Sequence, residues 1–323
     1  MSWINWIRRF PDTTYQEGYH VFNQELLNII VLADNSRDVF FFCSETYKYN
    51  NKYRALSFYT NTPLFYWAER KCLDVKVGLK SKEDIARIKE AGEILADCHK
   101  RISEIIAPGI TTLEIDAFVE EYLADRGATP EQKGYRGFPF ATCASVNEVV
   151  CHGFPTNKEL REGDIVTIDL VVNKKGWLAD SAWTYPVGKI SGEAKRLMEV
   201  TEQALYAGIA QAVPGNRIGD IGHAVGRCAE EANMGIVKAL IGHGIGRKMH
   251  EAPDVPNFGR AHSGMIIKPG MVFTIEPIFT LGDTGAVLWD NDGWTIRSAD
   301  GTLGAHFEHT LAVLEDGPVI LTK

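Results

Sequence analysis

The chain has 323 residues, of which 45% are hydrophobic and 24% charged, and its formal net charge is −8 at pH 7. These proportions are ordinary for a globular protein, and the length is sufficient for one large domain and a small one. The acidic balance argues against a broad nucleic-acid surface, which needs clustered lysine and arginine. No apolar run reaches the roughly 18–20 residues of a membrane span. We therefore expect neither nucleic acid nor membrane as a partner.

The cysteines and the N-terminus bear on cellular location. The six cysteines show no Cys-x-x-Cys spacing and no dense framework, which is typical of reduced thiols. The Arg8-Arg9 pair is not followed by an apolar segment, so the beginning of the chain resembles neither a secretory nor a twin-arginine signal. The sequence therefore predicts a cytoplasmic protein.

Residues 1–75 differ in composition from the rest of the chain, because they hold 17 of its 33 aromatic residues. Two pairs of β-rich runs flank turn-forming residues: Leu26–Ala33 with Val39–Cys43, and Arg54–Thr60 with Leu64–Ala68. We predict a small, aromatic-rich β-type domain over residues 1–75, its aromatic side chains forming a core. Its role is unknown, and an interaction module for the ribosome or for oligomerisation is one interpretation.

The next segment is helical. Ser81 followed by Asp84 has the spacing of a capping box, and apolar residues then recur at helical intervals as far as His99. The sequence Ala107-Pro108-Gly109 interrupts the pattern, and Thr112–Arg126 predicts a second amphipathic helix. The region therefore begins with a pair of helices.

This helix pair is repeated later in the chain. Helices are predicted over Glu193–Val213 and Arg217–Ala232, again with a Pro-Gly break between them, and Ile221 falls where Ile115 falls, offset by 106 residues. Each pair precedes β-rich segments. Because this period is too long for a solenoid, it predicts an α+β domain of two related halves closing on one cleft.

Between the helix pairs, two β-rich runs flank the turn Asn173-Lys174-Lys175-Gly176. If Lys174 and Lys175 are the loop residues, Asp169 lies directly opposite Asp180, and the two share one face of the hairpin. Two ionised carboxylates so close repel each other, so that one is protonated or a cation lies between them. Taken alone, Asp180 is better explained as a solvent-facing turn residue, but the buried character of the first strand favours the metal.

Three further candidate ligands occur in the second half. His243 lies between glycines, Glu276 ends an apolar strand, and Glu308 lies in another strand with His306 beside it and His309 on the opposite face. A structural ion pair would explain any one of these acids alone. Together the set is rich in oxygen ligands and suffices for two divalent ions. The set comprises Asp169, Asp180, His243, Glu276 and Glu308.

Five motifs occur in a characteristic order within residues 78–321. They are Ser145-Val146-Asn147-Glu148-Val149-Val150-Cys151-His152-Gly153, Asp180-Ser181-Ala182-Trp183-Thr184, Gly242-His243-Gly244-Ile245-Gly246, Thr274-Ile275-Glu276-Pro277 and His306-Phe307-Glu308-His309. In order and spacing this region resembles a methionine aminopeptidase of the bacterial type I class. The resemblance implies a pita-bread catalytic domain over residues 78–321. It also implies removal of the N-terminal methionine from nascent proteins and peptides, with a preference for a small second residue.

The resemblance also implies roles for individual residues. The five ligands would bind two divalent ions (Co, Mn, Fe or Zn), with Asp180 and Glu308 bridging them. His152 would contact the substrate near the scissile amide, and His250 would hydrogen-bond its carbonyl oxygen. The methionine pocket would be lined by Tyr135, Phe138, Cys143 and Trp294.

The chain departs from the family in two places. Met249 stands where many relatives have Phe or Leu, and residues 1–75 match neither the short bacterial form nor the zinc-finger extension of eukaryotic relatives. The short connections between His243, Glu276 and Glu308 argue against the type II class. We expect a monomer that acts on nascent chains, with the ribosome as one place of action.

The expected chemistry is consistent with the residue types. Divalent ions lower the pKa of water, and Glu276 has a second oxygen that can take the proton of that water and pass it to the leaving amine. His250 would stabilise the oxyanion. A pocket of cysteine and aromatic side chains suits an unbranched thioether.

Two other functions remain open from the sequence. A prolidase or aminopeptidase P shares the fold, but those enzymes have larger N-terminal domains and extra histidines. A catalytically dead binding protein of this fold would have lost ligands, whereas all five are present here.

Overall fold

The computed structural model describes residues 77–323 throughout and six strands nearer the N-terminus. The chain divides into two compact units, Met1–Val75 and Lys76–Lys323, and each is described by itself. The strands of the first unit are β1 (Thr13–Gln16), β2 (Tyr19–Gln24), β3 (Leu27–Ala33), β4 (Val39–Cys43), β5 (Lys48–Tyr49) and β6 (Lys52–Tyr53).

The strands of the first unit form antiparallel pairs. β1 to β4 lie side by side in chain order, and β5 pairs with β6. The pairing of β3 with β4 confirms the hairpin predicted over Leu26–Ala33 and Val39–Cys43. The second predicted hairpin, over residues 54–68, and the predicted aromatic core lie outside the described residues.

The second unit begins with the helix pair that the sequence predicts. Helix α1 spans Lys82–Ile105 and α2 spans Thr112–Asp125. The Ser81 side chain accepts from the Asp84 backbone N–H, and the Asp84 side chain accepts from the Ser81 N–H, so the predicted capping box is present. The second pair is α3 (Gly192–Gln211) and α4 (Ile218–Ala232). In the part of the chain that the structure describes, no helix is long and apolar enough to cross a bilayer.

The strands of the second unit form four sheets. β7 (Thr129–Pro130), β10 (Ile165–Lys174) and β11 (Trp177–Pro186) form one with β8 (Cys143–Val146), which also pairs with β10. The largest has the order β14-β13-β15-β20-β21. Its strands are β13 (Gly242–Gly244), β14 (Glu251–Val255), β15 (Val272–Ile275), β20 (His309–Leu314) and β21 (Gly317–Ile320). A third sheet holds β12 (Gly235–Ile236), β16 (Ile278–Thr280) and β19 (Gly304–His306), and a fourth holds β17 (Val287–Trp289), β18 (Ile296–Ser298) and β9 (Val149–Cys151).

Two hydrophobic clusters correspond to the two predicted halves. One joins α1 and α2 to β10 and β11, and the other joins α3 and α4 to β15 and β20. Ile115 in α2 and Ile221 in α4, which the sequence repeat equates, are both fully buried, one in each cluster. The prediction of two related α+β halves is therefore confirmed.

The hairpin β10–β11 has a different register from the predicted one. Its loop residues are Lys175 and Gly176, which have φ angles of 54° and 78°, as a type I′ turn requires. Asp169 therefore pairs with Ala182, and Asp180 with Val171. The prediction of a directly opposed pair was wrong because it placed Gly176, the residue best suited to positive φ, outside the loop.

The register error leaves the two carboxylates on the same face of the hairpin. The partner shift is two residues, and side chains alternate faces with a period of two. Asp169 and Asp180 thus become diagonal neighbours, which are still within reach of each other.

Candidate metal centre and adjoining pocket

The five predicted ligands come from strands of both halves and meet in one place. Asp169 lies on β10, Asp180 on β11 and His243 on β13, whereas Glu276 follows β15 and Glu308 precedes β20. The His243 Nε2 atom lies 3.7 Å from Asp180 Oδ2 and 3.7 Å from Glu276 Oε1. Ligand atoms of Asp180, His243 and Glu308 all lie within 4.8 Å of one another. Asp169 lies close enough to Asp180 for its charge to raise the pKa of Asp180.

The glycines on either side of His243 are required by their surroundings. A Cβ atom at Gly242 would lie 2.5 Å from the Thr274 carbonyl oxygen, and one at Gly244 would lie 2.2 Å from that of Ala252. This confirms the close backbone approach inferred from the sequence. The glycines thus allow β14 and β15 to pack tightly on both sides of the histidine.

Hydrogen bonds fix the orientation of His243 and Glu276. The Nδ1 atom of His243 lies 3.0 Å from the Gly244 carbonyl oxygen, to which it must donate, so Nε2 is the nitrogen that faces the carboxylates. Thr274 Oγ1 accepts from the His243 backbone N–H at 3.0 Å and donates to Glu276 Oε1 at 2.8 Å. Thr274 therefore links the backbone of His243 to the side chain of Glu276 through two hydrogen bonds.

The electrostatics of the cluster favour a bound cation. Burial raises the pKa of Asp169 to about 7 and that of Glu276 to about 8. Burial and then the charges of the neighbouring carboxylates raise the pKa of Asp180 and of Glu308 well above the ordinary range. Asp180 Oδ1 and Glu308 Oε1 are buried without a hydrogen-bond partner among the described residues. Such carboxylates fit divalent metal ions, which supply positive charge to the unpartnered oxygens.

An aromatic pocket adjoins this cluster. Trp294 packs edge-on against Phe138 with ring centroids 5.1 Å apart, and the His152 ring lies 6.1 Å from Trp294. Cys143 on β8 pairs directly with Asp169 on β10, so the thiol-bearing strand is next to the carboxylate strand. The structure thus brings Phe138, Trp294 and His152 together, and it places Cys143 beside the carboxylate cluster.

Tyr135 and His250 lie together on the other side of His243. The Tyr135 hydroxyl is 3.3 Å from His250 Nδ1, and the His250 ring centroid is 4.4 Å from that of His243. His250 is exposed, as a group that meets a substrate should be. If the tyrosine hydroxyl donates to Nδ1, the other ring nitrogen carries the proton.

His152 holds an unusual backbone conformation. Its φ angle is 53°, which is uncommon for a residue with a side chain and is frequent at functional sites. A Cβ atom on the next residue, Gly153, would lie 2.5 Å from the Ala144 carbonyl oxygen, so the chain bends tightly against β8 here. Burial lowers the pKa of His152 to about 4, which keeps the imidazole neutral.

Sequence reasoning missed several residues around the site. The Phe154 ring centroid lies 5.3 Å from that of Phe138 and 5.4 Å from that of Phe140, so Phe154 extends the group of packed aromatic rings. The density of phenylalanines around residues 138–154 was the available signal. Cys151 and His306 also contribute ligand atoms close to Asp169, whereas the sequence placed His306 only beside Glu308 and assigned Cys151 no role.

Two other buried histidines, His99 and His309, have structural hydrogen bonds. His309 faces away from the cluster, where its Nδ1 lies 2.8 Å from Thr322 Oγ1 and its ring packs against Trp183. His99 bonds to the Tyr185 hydroxyl and the Ser181 carbonyl. The predicted opposition of Glu308 and His309 is therefore confirmed.

The sequence matches a known family over most of its length. The model of Metallopeptidase family M24 matches residues 86–315. The chain belongs to this metallopeptidase family. It is 43% identical to methionine aminopeptidase 1 of Bacillus subtilis and 45% identical to the methionine aminopeptidase of Clostridium perfringens, in each case over 76% of this chain and 98% of the relative. Within the family it therefore groups with the methionine aminopeptidases.

Solved structures agree with this grouping. The crystal structure of methionine aminopeptidase from Rickettsia prowazekii has a TM-score of 0.76 at 37% identity, and covers 77% of this chain and all of its own. Prolidase from Pyrococcus furiosus has a TM-score of 0.60 at 25% identity, and covers 76% of this chain and 65% of its own. The pita-bread fold is thus confirmed, and the prolidase alternative is less well supported.

Membership of the family decides the class of chemistry. The protein is a metal-dependent hydrolase, and its cofactor is a pair of divalent metal ions, as expected from the sequence. The hypothesis of a catalytically dead binding protein has no support in these relatives, which are named as methionine aminopeptidases.

The raised carboxyl pKa values predict how pH affects the metal-free protein. An acid whose folded-state pKa lies above its unfolded value contributes stability at low pH, and this is lost as pH rises through the folded pKa. For Asp169 and Glu276 the loss begins near the unfolded pKa values of about 4 and is complete near pH 7 and pH 8, respectively.

We therefore expect these groups to lower the melting temperature of the chelator-treated protein as the pH rises from 5 to 8. Saturating divalent metal should reduce this fall, and Asp169→Asn should reduce it in the metal-free protein. A metal-free melting temperature that stays constant or rises over this range would contradict the prediction.

Proposed function

We propose that this chain removes the N-terminal methionine from nascent proteins and peptides, with a preference for a small second residue. The observation that carries the proposal is the convergence of four carboxylates with His243, with Cys143 paired with one of them and aromatic side chains packed around His152. The relatives named methionine aminopeptidase, matched over nearly their full length, support it.

Five side chains would hold the two ions: Asp169, Asp180, His243, Glu276 and Glu308. Asp180 and Glu308 each have a buried oxygen without a hydrogen-bond partner among the described residues, which suits them to hold a cation. Bound divalent ions polarise a carbonyl group and lower the pKa of water toward neutrality.

Glu276 would act as the general base as well as a ligand. Its Oε1 accepts from Thr274 Oγ1, which holds the carboxylate in one orientation. The carboxylate can take the proton of the attacking water and then give it to the leaving amine. His250, oriented by Tyr135, would donate to the carbonyl oxygen as negative charge develops there. His152, beside the pocket, would contact the substrate at the scissile amide.

The pocket would bind the methionine side chain. Phe138 is almost completely buried and Trp294 is half-buried over it, so the two rings form a wall for an apolar group. Cys143 and Tyr135 would complete the lining. A flexible thioether makes favourable contacts with aromatic rings and sulfur, which suits methionine better than a branched side chain.

The finer cellular setting is also part of the proposal. We infer a monomeric, cytoplasmic enzyme that meets its substrates at the ribosome, with the catalytic domain in residues 78–321. Residues 1–75 would form a separate small β-type domain with an accessory role. The family match, which begins at residue 86, supports this division.

The direct test is an assay of the purified protein with Met-Ala-Ser and with Xaa-Pro peptides, in the presence of Mn, Fe, Co or Zn. We expect release of methionine from the first peptide and little cleavage of the second. Faster cleavage of Xaa-Pro bonds would favour the prolidase-like function, and the absence of any cleavage under all four metals would refute both.

Glu276→Gln tests the general base. Glutamine keeps the shape and one neutral ligating oxygen but cannot accept the proton, so kcat should fall about 10²–10⁴-fold with little change in KM. Metal content must be measured alongside, because loss of an ion would also lower the rate. Retention of both ions with turnover within about threefold of the parent would show that another group, His152 first, is the base.

Trp294→Ala tests the pocket. Removing a wall that binds ground state and transition state alike should raise KM for Met-Ala-Ser about tenfold and leave kcat nearly unchanged. Trp289→Ala is a matched control, since Trp289 is 43% exposed on β17. Equal effects of the two substitutions would remove Trp294 from the methionine site.

Deletion of residues 1–75 tests the domain division. The deletion should leave a folded and active peptidase, because it retains Lys80, whose Nζ lies 2.5 Å from Glu251, the neighbour of His250. Extending the deletion through Lys80 should impair activity by freeing this loop. A shorter deletion that binds metal but does not cleave Met-Ala-Ser would show that residues 1–75 complete the site.

A further inference from the structure

A second group of possible metal ligands adjoins the carboxylate cluster. Ligand atoms of Cys151, Asp169 and His306 all lie within 4.8 Å of one another. They come from three sheets, because Cys151 ends β9, Asp169 lies within β10 and His306 ends β19. Only Asp169 belongs to the five ligands already assigned.

The strongest sign of an unfilled role is His306. Its side chain is only 1% exposed, yet neither Nδ1 nor Nε2 has a hydrogen-bond partner among the residues that the structure describes. Other buried histidines differ, since His99 uses both ring nitrogens and His309 uses one. Burying an imidazole without any partner is costly, so a group that binds its nitrogen would be favoured.

Cys151 and Asp169 provide ligands of complementary kinds. Cys151 is 4% exposed and its thiol is free of any disulfide. Asp169 is partly buried and has two carboxyl oxygens, so it can serve two neighbouring ions. One sulfur, one imidazole nitrogen and one carboxylate oxygen form the ligand set of a borderline-soft ion such as Zn²⁺ rather than of Mg²⁺ or Ca²⁺.

We propose that Cys151, Asp169 and His306 form a binding site for one thiophilic divalent ion, next to the proposed pair of catalytic ions and sharing Asp169 with it. On binding, the Sγ–metal bond forms and the thiol proton of Cys151 passes to solvent. The proposal rests on the proposed function only through the shared Asp169. It makes this end of the centre selective for Zn²⁺ or Cd²⁺ over hard cations.

The test uses Cd²⁺ as a probe on the full-length protein after treatment with a chelator. The parent should develop an ultraviolet thiolate-to-cadmium charge-transfer band as Cd²⁺ is added. Cys151→Ser should abolish the band belonging to the tightest-binding thiolate site. Cys143→Ser is the matched control, because Cys143 is also buried and pairs with Asp169 but is outside the three-residue group, and it should keep that band.

Absence of the band in the parent, or an equal band in Cys151→Ser, would overturn the proposal. Should Cys151→Ser fail to fold, X-ray absorption of the zinc-loaded parent decides the matter without a variant. A sulfur neighbour at about 2.3 Å supports the site, and a shell of nitrogen and oxygen alone at about 2.0–2.2 Å overturns it. His306→Gln should weaken Cd²⁺ binding about 10-fold or more, and unchanged affinity would remove His306 from the site.

The same samples separate this proposal from the proposed function. Release of methionine from Met-Ala-Ser by a parent without a thiolate–metal band would refute the Cys151 site and leave the peptidase intact. A thiolate–metal band in a protein that releases no methionine under any metal would support the Cys151 site and refute the peptidase function.

Discussion

Repulsion among buried carboxylates is the constraint on which the rest of this structure depends. Burial raises the pKa of Asp169, Asp180, Glu276 and Glu308, and the charges of neighbouring carboxylates raise it further at Asp180, Glu276 and Glu308. Without a cation the cluster must hold extra protons. The folded cluster therefore favours binding of a divalent metal ion. Metal binding releases protons from the carboxyl groups and stabilises the fold, so all three depend on pH together.

The two halves are joined at the same place where the carboxylates meet. The Glu308 backbone N–H donates to the Ala182 carbonyl at 2.8 Å, and Ser181 Oγ donates to the Glu308 carbonyl at 2.8 Å. The Asp180 N–H donates to Thr310 Oγ1 at 3.0 Å. These bonds run between β11 and the segment around β20, so Asp180 and Glu308 lie where the two halves meet. Hydrogen bonds to the backbone thus position two of the clustered carboxylates.

The pocket takes its position from the metal cluster through the β-ladder. Cys143 pairs with Asp169 across β8 and β10, and β9, two residues further along the chain, leads to Cys151 and His152. A single turn of the chain therefore places two buried thiols and the His152 imidazole near Asp169.

The sequence by itself determined the elements and the residue types. The capping box at Ser81, the helix repeat and the strands carrying Asp169 and Asp180 are local patterns, and the alternation of side chains kept both aspartates on one face even though the predicted register was wrong. The position of Gly176 already indicated the correct register, whereas tertiary structure alone decided the grouping of Cys151 with His306. The turn has positive φ angles at Lys175 and Gly176. Cys151 and His306 lie on strands that are far apart in the chain and come together only when the sheets pack. Local periodicity carries no information about such long-range contacts, because they depend on how the sheets pack.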